Sequence, residues 1–272
     1  MLRGIRLGAV IVLALGIIGA QAQVMQESAS GSVDWQGRMI RAKGIGMPGP
    51  KGGRAGQIRV ARADALRKIL ETVEGMTLTS ETTVQDYMLD NDRIQTEVRG
   101  ICRNFREVGE PVYLSDGSLE LTVEMALGAD LQNALLGELP FQDGTPVPIQ
   151  YSDVDPTNSI YTGLVVDCSG LNLRPALAPR ILSESGEEIY GNAWVDRDWA
   201  LKNGLVGYVK SVDQVKQFQD RVGTRPLLVK AKSVKGEQKA DMIIADKDGK
   251  ILHALSENLK FLTECRVLVV VD

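Results

Sequence analysis

The sequence is poor in the side chains from which most catalytic centres are built. Its one histidine, His253, leaves Ser–His–Asp chemistry and multi-histidine metal sites almost without material. Ser169, in Cys168-Ser169-Gly170, lacks the G-x-S-x-G turn that presents a nucleophile. No glycine loop leads into Gly-Lys-Ser/Thr, which removes the P-loop. A net charge of −4 argues against non-specific nucleic-acid binding, which needs clustered cations to displace counterions. The cysteines are an odd set, Cys102, Cys168 and Cys265, each among apolar neighbours. Buried small hydrophobes are the expected reading, with a Cys168–Cys265 bridge as the alternative.

The long apolar run that is present comes first. Arg3 and Arg6 precede an uncharged stretch from Leu7 to Ala20, followed by the small-residue pattern Ala20-Gln21-Ala22. This pattern predicts a secretory signal peptide over residues 1–22. The run is shorter than the ~20 residues that span a bilayer, so an uncleaved anchor is the weaker reading. Losing both arginines with the leader takes the formal charge to −6. The leader predicts export from the cytoplasm. No cysteine near the cut supports lipid attachment.

One stretch organises the first half. From Gln57 to Glu74, Ile58, Ala61, Ala65, Leu66, Ile69, Leu70 and Val73 recur every three or four residues, the spacing of one helix face. Gly37–Gly46 reads as a strand before it, joined by a glycine- and proline-rich loop. After it come the β-rich MTLTSETTV, a polar stretch, and a long strand from Arg93 to about Arg106. Ser115-Asp116-Gly117 is a hairpin turn, because Asp-Gly tolerates the positive φ a tight reversal needs. Leu119, Leu121, Val123, Met125 and Leu127 then alternate with polar residues as a half-buried strand. Residues 33–138 are thus expected as a β-α-β-β-β domain, the helix packed on an antiparallel sheet.

Residues 139–159, with Pro140, Pro146, Pro148 and Pro156, read as a linker. Residues 160–272 are expected as a second domain, a mixed sheet with two helices. Its strands are predicted around Leu164–Val166, up to Tyr190 after a turn at Glu184–Glu187, at Pro226–Lys232, at Met242–Ala245, and in the terminal RVLVVVD, a central strand. Ser211 and Gln214 fit a capping box opening a helix with a buried stripe of Val212, Val215, Phe218 and Val222, stopped at Gly223. Ile251, Leu252, Leu255, Leu259 and Leu262 mark the other helix. The fold class is α+β in two domains.

No motif calls for a cofactor or a metal. Gly44-Ile45-Gly46-Met47-Pro48-Gly49 matches G-x-G-x-x-G, but the helix does not begin at the third glycine, so a flexible connection is expected. Asp246-Lys247-Asp248-Gly249 misplaces the glycine of a calcium loop and reads as a turn and helix cap. Arg174 and Arg180 flank the proline-braced Pro175–Pro179 segment, with Asp167 and Tyr190 near in sequence. These four residues are the candidate partner- or anion-binding loop. A rigid crossover with solvated charges is the plainer reading.

The order of features from Met39 to Leu127 (IRAKGIGMP, ARADALRKILETVEGMTLTSETTV, then IQTEVRGICRNFREVGEPVYLSDGSLELTVEMAL) resembles the N-terminal domain of flagellar assembly protein T, which small outer-membrane lipoproteins share. The chain departs from the lipoproteins in having no lipid-bearing cysteine. The resemblance implies a periplasmic or outer-membrane-associated protein, with envelope proteins, flagellar basal-body or outer-membrane components as partners. The expectation is an exported, non-enzymatic structural or assembly factor that acts by binding, with no nucleic-acid partner and homo-oligomers left open. The alternatives are a carboxylate-based periplasmic hydrolase acting on cell-wall glycan or peptide, and a small-ligand carrier.

Overall fold

The computed structural model describes residues 23–49, 52–141, 146–151 and 160–272. The expected leader, Pro50-Lys51 and Pro156 lie outside the described residues. The two expected α+β domains are present.

The first is built on an antiparallel sheet of six strands. Short strands β1 (Met25–Glu27) and β2 (Ser32–Asp34) lead into β3 (Met39–Gly46), which pairs along its whole length with β6 (Leu119–Ala126). On the other side of β6 lie β4 (Arg106–Glu107) and β5 (Val112–Tyr113). The turn at Ser115–Gly117 joins β5 to β6 as the sequence predicts, with Gly117 at φ +80°. Helix α1 (Gly53–Glu74) crosses this sheet, burying Ala61, Ala65, Ile69 and Val73 and half-burying Ile58, Leu66 and Leu70.

Gly44 and Gly46 are not a flexible connection. Both lie in β3 directly beneath α1, where a methyl group on Gly44 would collide with the Ala61 carbonyl oxygen and stand 2.7 Å from the Ala65 Cβ. A methyl on Gly46 would strike the Gln57 carbonyl oxygen. The Gly-x-Gly pair is a packing device that lets helix and strand backbones approach closely.

The expected β-α-β-β-β order is corrected in two places. Residues 93–106 form no long strand: α3 (Asp92–Cys102) occupies the stretch, after α2 (Val84–Leu89). Ile94, Val98 and Cys102 repeat every four residues and all are buried, a helical period that the β-branched Ile94 and Val98 obscure. The Asn91 side chain accepts from the amides of Arg93 and Ile94, and Thr83 with Asp86 makes a capping box for α2. MTLTSETTV is likewise a loop closed by a single bridge between Thr77 and Thr83. Helix α4 (Ala129–Leu136) completes the domain.

The second domain contains two sheets instead of one. The first is all parallel, in the order β10 (Gly207–Val209), β14 (Val267–Val270), β7 (Leu164–Asp167), β11 (Leu227–Lys230). All four residues of β14 are buried, so RVLVVVD is the central strand its composition predicts. The second sheet runs β12 (Ser233–Lys235), β13 (Asp241–Ile244), β8 (Ile181–Ser183), β9 (Glu188–Tyr190), with only β13 and β8 parallel.

Helix α5 (Arg197–Asn203) precedes β10. The expected helix after Ser211 is a 3-10 turn (Val212–Phe218) followed by α6 (Gln219–Val222), stopped at Gly223 with φ +72°. Ser211 makes no side-chain cap, and the Gln214 side chain accepts instead from the Lys210 amide at 2.8 Å. Val222 is buried, but Val212 points to solvent. The other expected helix is broken into α7 (Asp246–His253) and α8 (Ser256–Thr263). Asp246 begins α7, and its carboxylate accepts from the Ser185 amide at 2.9 Å. Cys102, Cys168 and Cys265 are all buried free thiols, so the Cys168–Cys265 bridge is not formed. Burial pushes their pKa values up to about 12, 12 and 11, which makes them poor nucleophiles.

The described part of the linker lies against α7, where the Ile149 amide donates to the His253 carbonyl. The His253 ring is fully buried, tilted against Trp194 with centroids 4.2 Å apart, and its Nε2 is 2.8 Å from the Ile189 carbonyl oxygen. Its Nδ1 is buried with no partner among the described residues. Burial lowers the ring's pKa, outweighing the Ile189 carbonyl and Glu187. The folded state therefore favours the neutral ring. That contribution is complete above the unfolded value of 6.5 and is lost as pH falls from there through the depressed folded value. Between about pH 7.5 and about pH 5.5, wild type should lose up to ~1 kcal/mol more stability than His253→Phe. Urea midpoints that fall in parallel for the two proteins would contradict this.

Candidate functional site

The four residues predicted as a partner-binding loop do not converge on one surface. Arg174 is exposed, and its backbone amide donates to the Lys239 carbonyl at 3.1 Å. Asp167 ends β7, where its Oδ1 accepts from the Ser169 amide and hydroxyl at 3.0 and 2.6 Å. The hydroxyl bond is the main reason its pKa is lowered. Tyr190 is completely buried and donates to the Leu205 carbonyl at 2.6 Å. Arg180 belongs to an internal ion pair.

The proline-braced segment does meet a partner, but that partner is the chain's own first domain. Ala176 bridges Thr77 in parallel fashion, and the amides of Leu177 and Ala178 donate to the carbonyls of Thr77 and Leu78 at 3.1 and 2.8 Å. Beside this seam Asp241, fully buried, accepts from Ser80 Oγ at 2.7 Å. It also accepts from the Arg180 amide and Nε at 3.0 Å each and from Nη2 at 2.5 Å. The two guanidinium bonds, both to Asp241 Oδ2, raise the Arg180 pKa still further. Trp35 meets Tyr208 edge-on across the same junction, centroids 5.6 Å apart, and one hydrophobic core runs through both domains.

A cavity of about 260 Å³ opens at another part of this junction. Arg38, from the turn between β2 and β3, supplies its first-domain wall; Trp199 and Asn203 of α5, Phe218, and Asp220 and Arg221 of α6 line the rest, with Glu264, Cys265 and Arg266. Arg38 holds φ +53°, in a turn where Asp34 Oδ1 accepts from the Gly37 amide. Its guanidinium donates to the Lys202 and Leu127 carbonyls at 2.7 and 3.0 Å.

Arg221 is clamped more tightly. Its Nε donates to the Val267 carbonyl, Nη1 to Asn203, and Nη2 to Gly204 and Leu205, at 2.8–3.3 Å. Among the described residues neither Arg38 nor Arg221 forms an ion pair, whereas Arg266 pairs with Glu264 at 2.7 Å. Burial lowers the pKa of both, and Arg221 adds repulsion at Arg38. No sequence signal marks these two arginines, because their proximity comes from the docking of the domains.

The comparisons fall on the second domain. Residues 163–272 match a family model described as Treponema pallidum Tp0624, second domain. The match spans less than half of the chain. No curated protein matches it. The matched region contains both sheets of the second domain and every lining residue of the cavity except Arg38. At the C-terminal edge of its parallel sheet, where open α/β sheets commonly bind ligands, the groups are already engaged. The Asp272 carboxylate accepts from the Gly170 and Asn172 amides at 2.6 and 3.2 Å, and Lys210 donates to the Asp272 carbonyl.

Proposed function

We propose that this chain is an exported, non-catalytic protein of the cell envelope that works by binding, as a structural or assembly factor. The observation that carries this reading is the junction. Shared core, strand-like seam and the Ser80–Asp241–Arg180 cluster join the domains, which suits a scaffold that presents surfaces in fixed relation. The leader pattern in residues 1–22 supports export. The matched family model describes a second domain, and here too the matched part follows another domain, as expected of a module reused in scaffolds. A role in flagellar or outer-membrane assembly is the finer form of the proposal and rests on the resemblance of residues 39–127. The hydrolase reading has less support. Burial pushes the Glu188 carboxyl up, but Arg180 and Asp241 beside it are paired to each other.

Crosslinking in cells followed by identification of partners tests the proposal. Envelope proteins, or further copies of the chain, should be captured, and Arg174→Glu on the exposed crossover should reduce capture severalfold with no change in melting temperature. An uncrosslinked monomer would refute the binding role, and capture unaffected by Arg174→Glu would remove Arg174 from the contact.

A further inference from the structure

We infer that the junction cavity is a binding site for a small monocarboxylate with a flat apolar body, the carboxylate held by Arg38 and Arg221 and the body laid against Trp199 and Phe218. The inference does not depend on the envelope role.

Three observations carry it. First, two cations of the lining, Arg38 of the first domain and Arg221 of the second, have no carboxylate partner among the described ion pairs, although burying an unanswered charge is costly. Backbone carbonyls take only part of their donor capacity. A guanidinium has five N–H groups; Arg38 gives Nη1 and Nη2 to carbonyls, and Nη2 also meets the Gln132 side-chain oxygen in that amide's satisfied orientation, while its Nε makes no described bond; Arg221 has four acceptors and one Nη1 N–H to spare. Second, two of the lining residues are aromatic, Trp199 and Phe218. Trp199, which lines the cavity, is 42% exposed, an indole left in water where most large aromatics are covered. Third, the charge count selects the ligand. Arg38, Arg221 and Arg266 face Asp220 and Glu264, a lining one unit positive, which suits a single carboxylate better than a polyphosphate. A volume of about 260 Å³ admits a ligand of one ring and its substituents.

Isothermal titration of the purified protein with benzoate, phenyl phosphate, inorganic phosphate and benzyl alcohol tests this. Benzoate should bind once per chain, more tightly than phenyl phosphate, and benzyl alcohol and inorganic phosphate should give no saturable heat. Arg38→Gln and Trp199→Ala should each weaken benzoate binding about tenfold, the loss of one charge-assisted contact or one stacked face. Circular dichroism and melting temperature control for folding. If Arg38→Gln disturbs the junction, Trp199→Ala alone decides, because its exposed indole anchors nothing in the core. Silence with benzoate, equal binding of benzyl alcohol, tighter binding of either phosphate, or unaltered affinity in Trp199→Ala would each overturn the inference. Failure to crosslink envelope partners would leave it standing.

Discussion

Arg180→Ala should lower the unfolding free energy by about 3–5 kcal/mol, because it strands a buried carboxylate. Asp241 is fully buried, and two of its four described hydrogen bonds come from the Arg180 guanidinium. The Ser80 hydroxyl and the Arg180 amide remain after truncation, but neither carries a positive charge. Arg180 itself keeps 38% of its side chain exposed, so the cost lies on the aspartate side and not in the arginine's lost contacts. Arg180→Ala combined with Asp241→Ala should cost clearly less than the sum of the two single changes, since the stranded charge is then absent. Urea denaturation with an unchanged slope is the measurement. A loss under ~1 kcal/mol for Arg180→Ala would mean that water reaches Asp241 and that the seam is not closed there.

The second large effect is steric. Gly44→Ala places a methyl group against the Ala61 carbonyl and 2.7 Å from the Ala65 Cβ, and neither belongs to a flexible side chain end. Helix α1 must lift or shift along β3, breaking contact under Ala61, Ala65 and Ile69 together. A cost of about 2–4 kcal/mol is expected, at the upper range of overpacking because backbone has to move. Gly100→Ala is the matched control. That glycine lies in α3 with nothing within 4 Å of its would-be methyl, so the change should stabilise by ~0.5–1 kcal/mol through helix propensity. Equal midpoints for the two variants would refute the close-packing account of Gly44.

Most elements were legible where periodicity and burial agree. The α1 stripe, the β5–β6 turn, the alternating β6 and the all-apolar β14 each announce one structure only. The stretch from Arg93 misleads because Ile94, Val98 and Ile101 have strand-like side chains at helical spacing, and the spacing wins once one face is covered. The helix marked by Ile251–Leu262 breaks because α7 must deliver His253 against Ile189 before α8 turns back toward β14. The predicted site residues Asp167, Arg174, Arg180 and Tyr190 do not converge on one surface; Arg180 pairs with Asp241 inside the chain, and the Pro175–Pro179 segment packs on the first domain.

By itself the sequence determined what local chemistry can specify: a leader pattern, two α+β domains, the helix that organises the first and the strand at the centre of the second. Side-chain period along a chain is a short-range property, so it survives without a fold. The tertiary structure alone decided that Gly44 and Gly46 are packing residues, that Arg180 answers Asp241, and that Arg38 and Arg221 share a cavity. Gly44 and Gly46 meet α1 across the loop inside the first domain, Arg180 meets Asp241 between strands of the second, and Arg38 reaches the cavity of Arg221 by the docking of one domain on the other; none of these approaches is written in the local side-chain period.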